Sequence, residues 1–325
     1  MSRAARIGAA LEPVIRHRRY VEAFDAAKAV IARDVEARGN LVPVLGPTRT
    51  GKTRLAGDLQ AGVGAIPQVS YRVPTRLDFA IGTVPPKPND RDLYRALLLA
   101  CGFYFFEKEK TNQLRRRLVE MIRDNPIRVI ALDECNHFAE TGINLSARGA
   151  TDHLKSLVDE TGVNLLLLGL PSFQSLLDKN EQFRDRAHAT IPLHAYDWNA
   201  PQDREDFYAA FLAIIEIFQQ HDLTIAMDED DCLRRVYGLS AGRVGLVLRL
   251  MLATAQLVER RKAVTLKDLR RAARTHLQKE LSPDTYVGEE PPTDTALIRA
   301  HVRMLGEAGM ATVVRDMRDV AAQIP

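Results

Sequence analysis

Two short stretches of this sequence combine residue types and spacing that could do phosphate chemistry. The first is G-P-T-R-T-G-K-T at positions 46–53, directly after the apolar run Leu41, Val42, Pro43, Val44, Leu45. The spacing G-x-x-x-x-G-K-T is that of a phosphate-binding loop set between a strand and a helix. Gly46 and Gly51 let the backbone turn tightly enough for successive N–H groups to converge on phosphate oxygens. A helix starting near Lys52 points its positive end at the same anion. Lys52 adds a full charge at the β- and γ-phosphates, and the Thr53 hydroxyl is placed to bind Mg²⁺. The stretch Gly46, Pro47, Thr48, Arg49, Thr50, Gly51, Lys52, Thr53 and Arg54 is therefore expected to line a nucleotide site. The competing reading is a chance match in a loop. The apolar run before it and the helical pattern after it weigh against chance.

The second stretch is the apolar run 127–132 ending in Asp133 and Glu134, the form of a Walker B element. The Asp133 carboxylate would hold Mg²⁺ through water, and Glu134 would act on the attacking water as base or orienter. Acidic residues also follow strands in ordinary turns, a reading weakened by the phosphate loop upstream. The run 164–169 is wholly apolar after Asn164, as suits a central parallel strand covered on both faces. Beyond it, Ser172 either senses a γ-phosphate or caps a helix. Before the apolar run 191–193 stand Arg184 and Arg186. An arginine there could neutralise charge on the γ-phosphate of a neighbouring subunit's nucleotide, Arg186 being the first choice and Arg184 the second. The alternative is a surface salt bridge with Asp185 or Glu181. Arg243 lies near where an arginine of a helical lid would approach the phosphates from the side.

These groups need a frame, and the pattern supplies an α/β one. Residues 1–39 read as helical, with a basic run Arg16, His17, Arg18, Arg19 that is either a solvated face or a contact for DNA or a partner. The segment 68–74 alternates like a strand, and 75–90, rich in proline, reads as a loop. Helices are expected over 92–106, 111–124 and 150–160, with an irregular loop over 135–149. From 199 onward the chain reads as helices, one opening at Thr265 with capping-box spacing to Asp268. The expected division is an N-terminal helical segment (1–39), an α/β P-loop NTPase domain with a parallel sheet flanked by helices (40–198), a small helical lid domain (199–280), and a linker with a helical C-terminal tail that could bind a partner (281–325). No internal repeat or low-complexity tract is present.

Composition narrows the classes further. A chain of 325 residues can bury a large core. Its formal charge of +3 is too small to imply nucleic-acid binding by itself, so the placing of basic residues matters more. There is no long uncharged apolar run for a membrane span and no secretory signal at the N-terminus. The three cysteines, Cys101, Cys135 and Cys232, are far apart and form neither a disulfide framework nor a zinc pattern. Together these features lead us to expect a cytoplasmic protein.

The order of phosphate loop, Asp-Glu strand, apolar strand, arginine-tipped strand and helical lid resembles an AAA+ ATPase. Within that clan the chain looks most like the TniB/TnsC group, the target-selecting ATPases of DNA transposition. The likeness is carried by the 46–53 loop, Leu132-Asp-Glu-Cys-Asn-His-Phe138, Asp152-His-Leu-Lys-Ser-Leu157, Leu166-Leu-Leu-Gly-Leu-Pro-Ser-Phe173, and the stretch 180–198 with Tyr196-Asp-Trp198. The resemblance implies ATP and Mg²⁺ as cofactors and a homo-oligomer, ring or helical filament, around double-stranded DNA. It further implies recruitment of a transposase, and a TniQ-like adaptor as a second partner. By analogy, sequence-independent DNA contacts would come from Lys108, Lys110, Arg115 and Arg116, and from Arg76 and Arg148 in loops. The chain departs from the wider clan at Gly245, where some relatives place a sensor arginine. Two other functions fit the same clan: a helicase loader or replication initiator, and a signalling or defence NTPase acting on a protein partner.

Overall fold

The apolar run at 41–45 becomes a strand because every one of its residues is buried, and the rest of the sheet is built around it. The computed structural model describes residues 1–33, 39–63, 78–125, 127–139, 147–179, 187–277 and 283–310. The chain divides into two units. One comprises Glu22–Gly46 with Gly51–Leu193; the other comprises Met1–Val21, Pro47–Thr50 and His194–Pro325.

The first unit is the α/β unit. Its strands are β1 (Leu41–Leu45), β2 (Phe79–Thr83), β3 (Val129–Asp133), β4 (Asn164–Gly169) and β5 (Ile191–Pro192), in the order β2-β3-β4-β1-β5. Every described pairing is parallel. Strands β1, β3 and β4 are buried along their whole length, as continuous apolar runs in a parallel sheet must be. Leu41, Leu45, Ile130, Leu132, Leu165 and Leu167 form one core with the apolar faces of the flanking helices. Those helices are α4 (Asp90–Ala100), α5 (Thr111–Asp124), α6 (Ala147–Thr161) and α7 (Gln174–Lys179), while α3 (Lys52–Val63) lies outside that cluster and against β2, β3 and β4. α1 (Arg3–Ala10) and α2 (Arg18–Arg33) come earlier in the chain.

Three local expectations need correction. β2 lies inside the stretch expected to be a loop, pairing Phe79 with Val129 through Thr83 with Asp133. The prolines at 85, 86 and 88 all follow the strand, so they end it rather than forbid it. The helix expected over 92–106 spans Asp90–Ala100: it opens two residues earlier on an Asn89–Asp92 capping box. It stops at Gly102, whose φ of 76° permits the bonds Phe103 N to Leu98 O and Gly102 N to Leu99 O. The aromatic run 103–106 is therefore loop. Within 135–149, a 3₁₀ turn spans Cys135–Ala139 and α6 already begins at Ala147. The segment 68–74 lies outside the described residues.

The second unit is helical: α8 (Pro201–Gln220), α9 (Glu229–Ser240), α10 (Val244–Leu257), α11 (Leu266–His276) and α12 (Asp294–Glu307), with a two-residue parallel pair β6 (Thr224–Ile225) and β7 (Ala263–Val264). Its core gathers Phe207, Phe211, Phe218, Tyr237, Leu250 and Leu269. The Thr265–Asp268 capping box opens α11 as the spacing predicts. Helix α1 belongs here. The Glu259 carboxylate accepts from the backbone N–H groups of Arg3 (2.5 Å) and Ala4 (3.0 Å), a favourable anion at a helix start. In the segment expected as a linker, the buried Arg235 donates to Gly288 O at 2.8 Å, Glu289 O at 3.1 Å and Tyr286 O at 3.3 Å, and pairs with Asp231 at 2.7 Å. Gly238 makes room for the Tyr286 ring, which a Cβ would meet at 2.2 Å. Among the described residues no single helix is long and apolar enough to cross a membrane.

Candidate nucleotide site

The loop between β1 and α3 carries the expected features. Gly51 has φ 102° and Arg49 φ 62°, so the chain reverses through two left-handed residues, one of them without glycine's freedom. Gly46 N donates to Gly169 O at 3.1 Å, tying the loop's first residue to the end of β4. The Lys52 ammonium returns to Gly46 O at 2.7 Å. Burial pushes its pKa down to about 8, against the pull of Asp133 and Glu134, which raise it. A half-buried ammonium at the mouth of such a loop faces the place where phosphates would lie.

Thr53, in the first turn of α3, donates its hydroxyl to Asp133 Oδ2 at 2.5 Å, so the two sequence-expected metal residues are together. A hydroxyl and a carboxylate oxygen side by side are a hard-oxygen set. Mg²⁺ uses one or two such protein ligands beside substrate phosphates. Asp133 Oδ1 accepts from Glu134 N at 2.8 Å. Glu134 is exposed and has φ 59°. Its side chain leaves the strand end in a direction that no extended residue would give. Arg54 pairs along its own helix with Asp58 at 2.7 Å.

In the helical unit, the loop crown Pro47–Thr50 is held from two sides. Thr50, buried, donates to Pro47 O at 2.9 Å. Arg243, at the N-cap of α10, is also buried. It donates to Ser240 O at 2.8 Å, and its Nη1 stands 3.5 Å from Thr48 Oγ1. Its Nη2 is buried with no partner among the described residues. Burial brings its pKa to about 10. A Cβ on Gly245 would come within 2.5 Å of Arg49 O. No arginine can stand there, which accounts for the departure at that position.

The other sequence-expected residues scatter. Ser172 is half-buried in a 3₁₀ turn, Pro171–Phe173, and its carbonyl accepts from Ser175. Arg115 is bound to Ser156 and Glu160 of α6. Arg116 is 77% exposed in its side chain. Lys108 and Lys110 are exposed after the 103–106 loop, and Arg148 is in the first turn of α6. Arg76, Arg184 and Arg186 lie outside the described residues. Two features escaped sequence reasoning. One is the part played by Gly245, whose missing side chain lets α10 approach Arg49 of the crown, while Gly242 makes room for the Tyr196 backbone. The other is Asn136, whose Oδ1 is buried and without a partner. Only the S-A-G-R-V-G run itself hinted at the first.

Three solved structures place the fold. Cdc6p from Pyrobaculum aerophilum aligns with TM-score 0.56 at 12% identity, covering 92% of this chain and 83% of that one. ORC2 from Aeropyrum pernix in its ADP form gives 0.53 at 14%, covering 92% of each. Drosophila ORC bound to DNA gives 0.52 at 12%, covering 99% of this chain and 83% of that one. At such identities the likeness concerns fold alone. No curated protein sequence matches the chain. The family model described as "Bacterial TniB protein" matches residues 6–197. That match takes in the phosphate loop, the Asp133–Glu134 strand end and every strand of the α/β unit. The chain is thus an ATPase of AAA+ fold, and it belongs to the TniB family.

Proposed function

We propose that this protein is an ATP-switched, DNA-binding regulator of transposition that assembles on duplex DNA and recruits a transposase to its target. The observation that carries the reading is the joined pair Thr53–Asp133, with the half-buried Lys52 next to Thr53 in sequence. That is a triphosphate site, and it belongs to a chain of the TniB family. Lys52 and the loop N–H groups hold the β- and γ-phosphates, and Arg243, beside Thr48 of the loop crown, is our candidate for a further phosphate-binding residue. Thr53 and Asp133 fit a magnesium ion, which when bound would neutralise phosphate charge. Glu134 accepts a proton from the attacking water. The water oxygen forms the new bond to the γ-phosphorus, and the bridging bond breaks with its electron pair leaving on ADP. Arg186, or else Arg184, is our candidate for the arginine completing a neighbouring copy's site.

DNA contact is assigned to Lys108, Lys110 and Arg116, exposed cations about the α4–α5 loop, and by analogy to Arg76 and Arg148. Arg115 is less available, being engaged by Glu160. Contacts to phosphate are sequence-independent and salt-sensitive. ATP shifts the population toward the assembled state only if it binds that state better than the free one. The test is sedimentation of the protein with duplex DNA and ATP or ADP. Faster sedimentation with ATP supports the switch, and nucleotide-independent behaviour rejects it.

A further inference from the structure

The end of β4 is where a polar side chain would be expected to meet the γ-phosphate, because β4 lies between the strand leading to the phosphate loop and the strand ending in Asp133. In this chain Gly169, Leu170 and Pro171 offer no polar side-chain atom there. Asn136 reaches the spot from the neighbouring strand end. Around Gly169, an added Cβ would meet Asn136 N at 3.3 Å and Asn136 Oδ1 at 3.7 Å, so the glycine is what admits the asparagine. Gly169 O in turn receives the loop's Gly46 N. The 3₁₀ turn bearing Asn136 is anchored by Cys135 Sγ to Leu132 O, by His137 N to Glu134 O, and by Phe138 buried beside Phe173. Asn136 Oδ1 is buried there with no partner among the described residues. An unsatisfied buried oxygen is costly, and at the edge of a site it is satisfied when a ligand or its water arrives.

We infer that Asn136, rather than Ser172, is the polar residue that holds the attacking water against the γ-phosphate. Its Oδ1 accepts a hydrogen bond from that water and its Nδ2 donates to a γ-phosphate oxygen, while Glu134 remains the proton acceptor. This rests on the ATPase reading of the site.

The test uses the full chain, measuring steady-state hydrolysis, binding of fluorescent ATP and ADP analogues, and thermal melting for Asn136→Ala, Asn136→Asp and Ser172→Ala. Asn136→Ala is expected to lower kcat at least about tenfold with nucleotide affinity unchanged. Asn136→Asp sets a carboxylate against the γ-phosphate, so it is expected to weaken ATP at least about tenfold and leave ADP alone. A merely structural role would move ATP and ADP together and lower the melting temperature. The inference is overturned if Asn136→Ala keeps kcat within about twofold, if Asn136→Asp weakens both nucleotides equally, or if the loss falls on Ser172→Ala instead. A wild-type chain that binds no ATP would instead overturn the reading beneath it.

Discussion

The Thr53 hydroxyl and the Asp133 carboxylate meet at 2.5 Å, joining the first turn of α3 to the end of β3. These two residues would hold a divalent cation, which would neutralise phosphate charge. Asp133→Asn should therefore lower ATP hydrolysis by about a hundredfold or more and abolish its response to added Mg²⁺. Hydrolysis assayed across a magnesium titration checks this.

Lys52 titrates near 8 in the free site, and a bound triphosphate will raise that value. Affinity must then fall as pH climbs past about 8, because the free lysine loses the proton that the complex keeps. Calorimetric titration of ATP from neutral to alkaline pH should show weaker binding and growing proton uptake. Lys52→Arg should flatten both trends.

Three imidazoles in the helical unit, His301 buried and His17 and His194 half-buried, resist protonation. Burial, with Arg19 adding to it, pushes His17 down to about 4. His194 and His301 are also lowered, burial again leading, although Asp203 pulls both the other way. Each has a folded value below its unfolded one, so the stability it supports is whole above about pH 6.5 and is lost as pH falls below it, for His17 down to about 4. His17 alone accounts for up to about 3 kcal/mol. Urea melts over that interval should lose stability steeply, and less steeply in His17→Gln.

Gly242 has φ 78°, and a Cβ there would lie 2.0 Å from Tyr196 O. Gly242→Ala should cost more than about 2 kcal/mol. Gly57, inside α3 with nothing within 4 Å, is the control. Gly57→Ala should stabilise by roughly 0.5–1 kcal/mol. If thermal melting ranks the two alike, the close approach is wrong.

Lys108→Ala and Arg116→Ala should each weaken duplex binding uniformly over sequences and reduce the salt slope by about one. Arg115→Ala should act chiefly on stability, since it frees Glu160. Binding isotherms across a salt series separate these outcomes.

Much of the frame could be read ahead of the structure where one signal dominated. The run 164–169 is a strand with those very limits, and 111–124 a helix with its own, because an all-apolar run and an amphipathic repeat have no competing interpretation. The phosphate loop was legible because glycine, lysine and threonine are fixed in spacing by the anion. β2 was hidden by prolines that begin two residues after it, and the end of α4 by an aromatic run that would suit a helix face had Gly102 not broken it. Asn136 was illegible for a different reason. Its significance comes from Gly169, more than thirty residues away, and a contact between strand ends leaves no local trace.

The left-handed backbone at Glu134 has one more implication. A side chain in that region costs roughly 1 kcal/mol or more, which glycine would not incur. Replacing the glutamate by glycine should thus give a sturdier molecule and an inert one. Position 134 is a place where the polypeptide forgoes durability to keep an acid in reach of solvent.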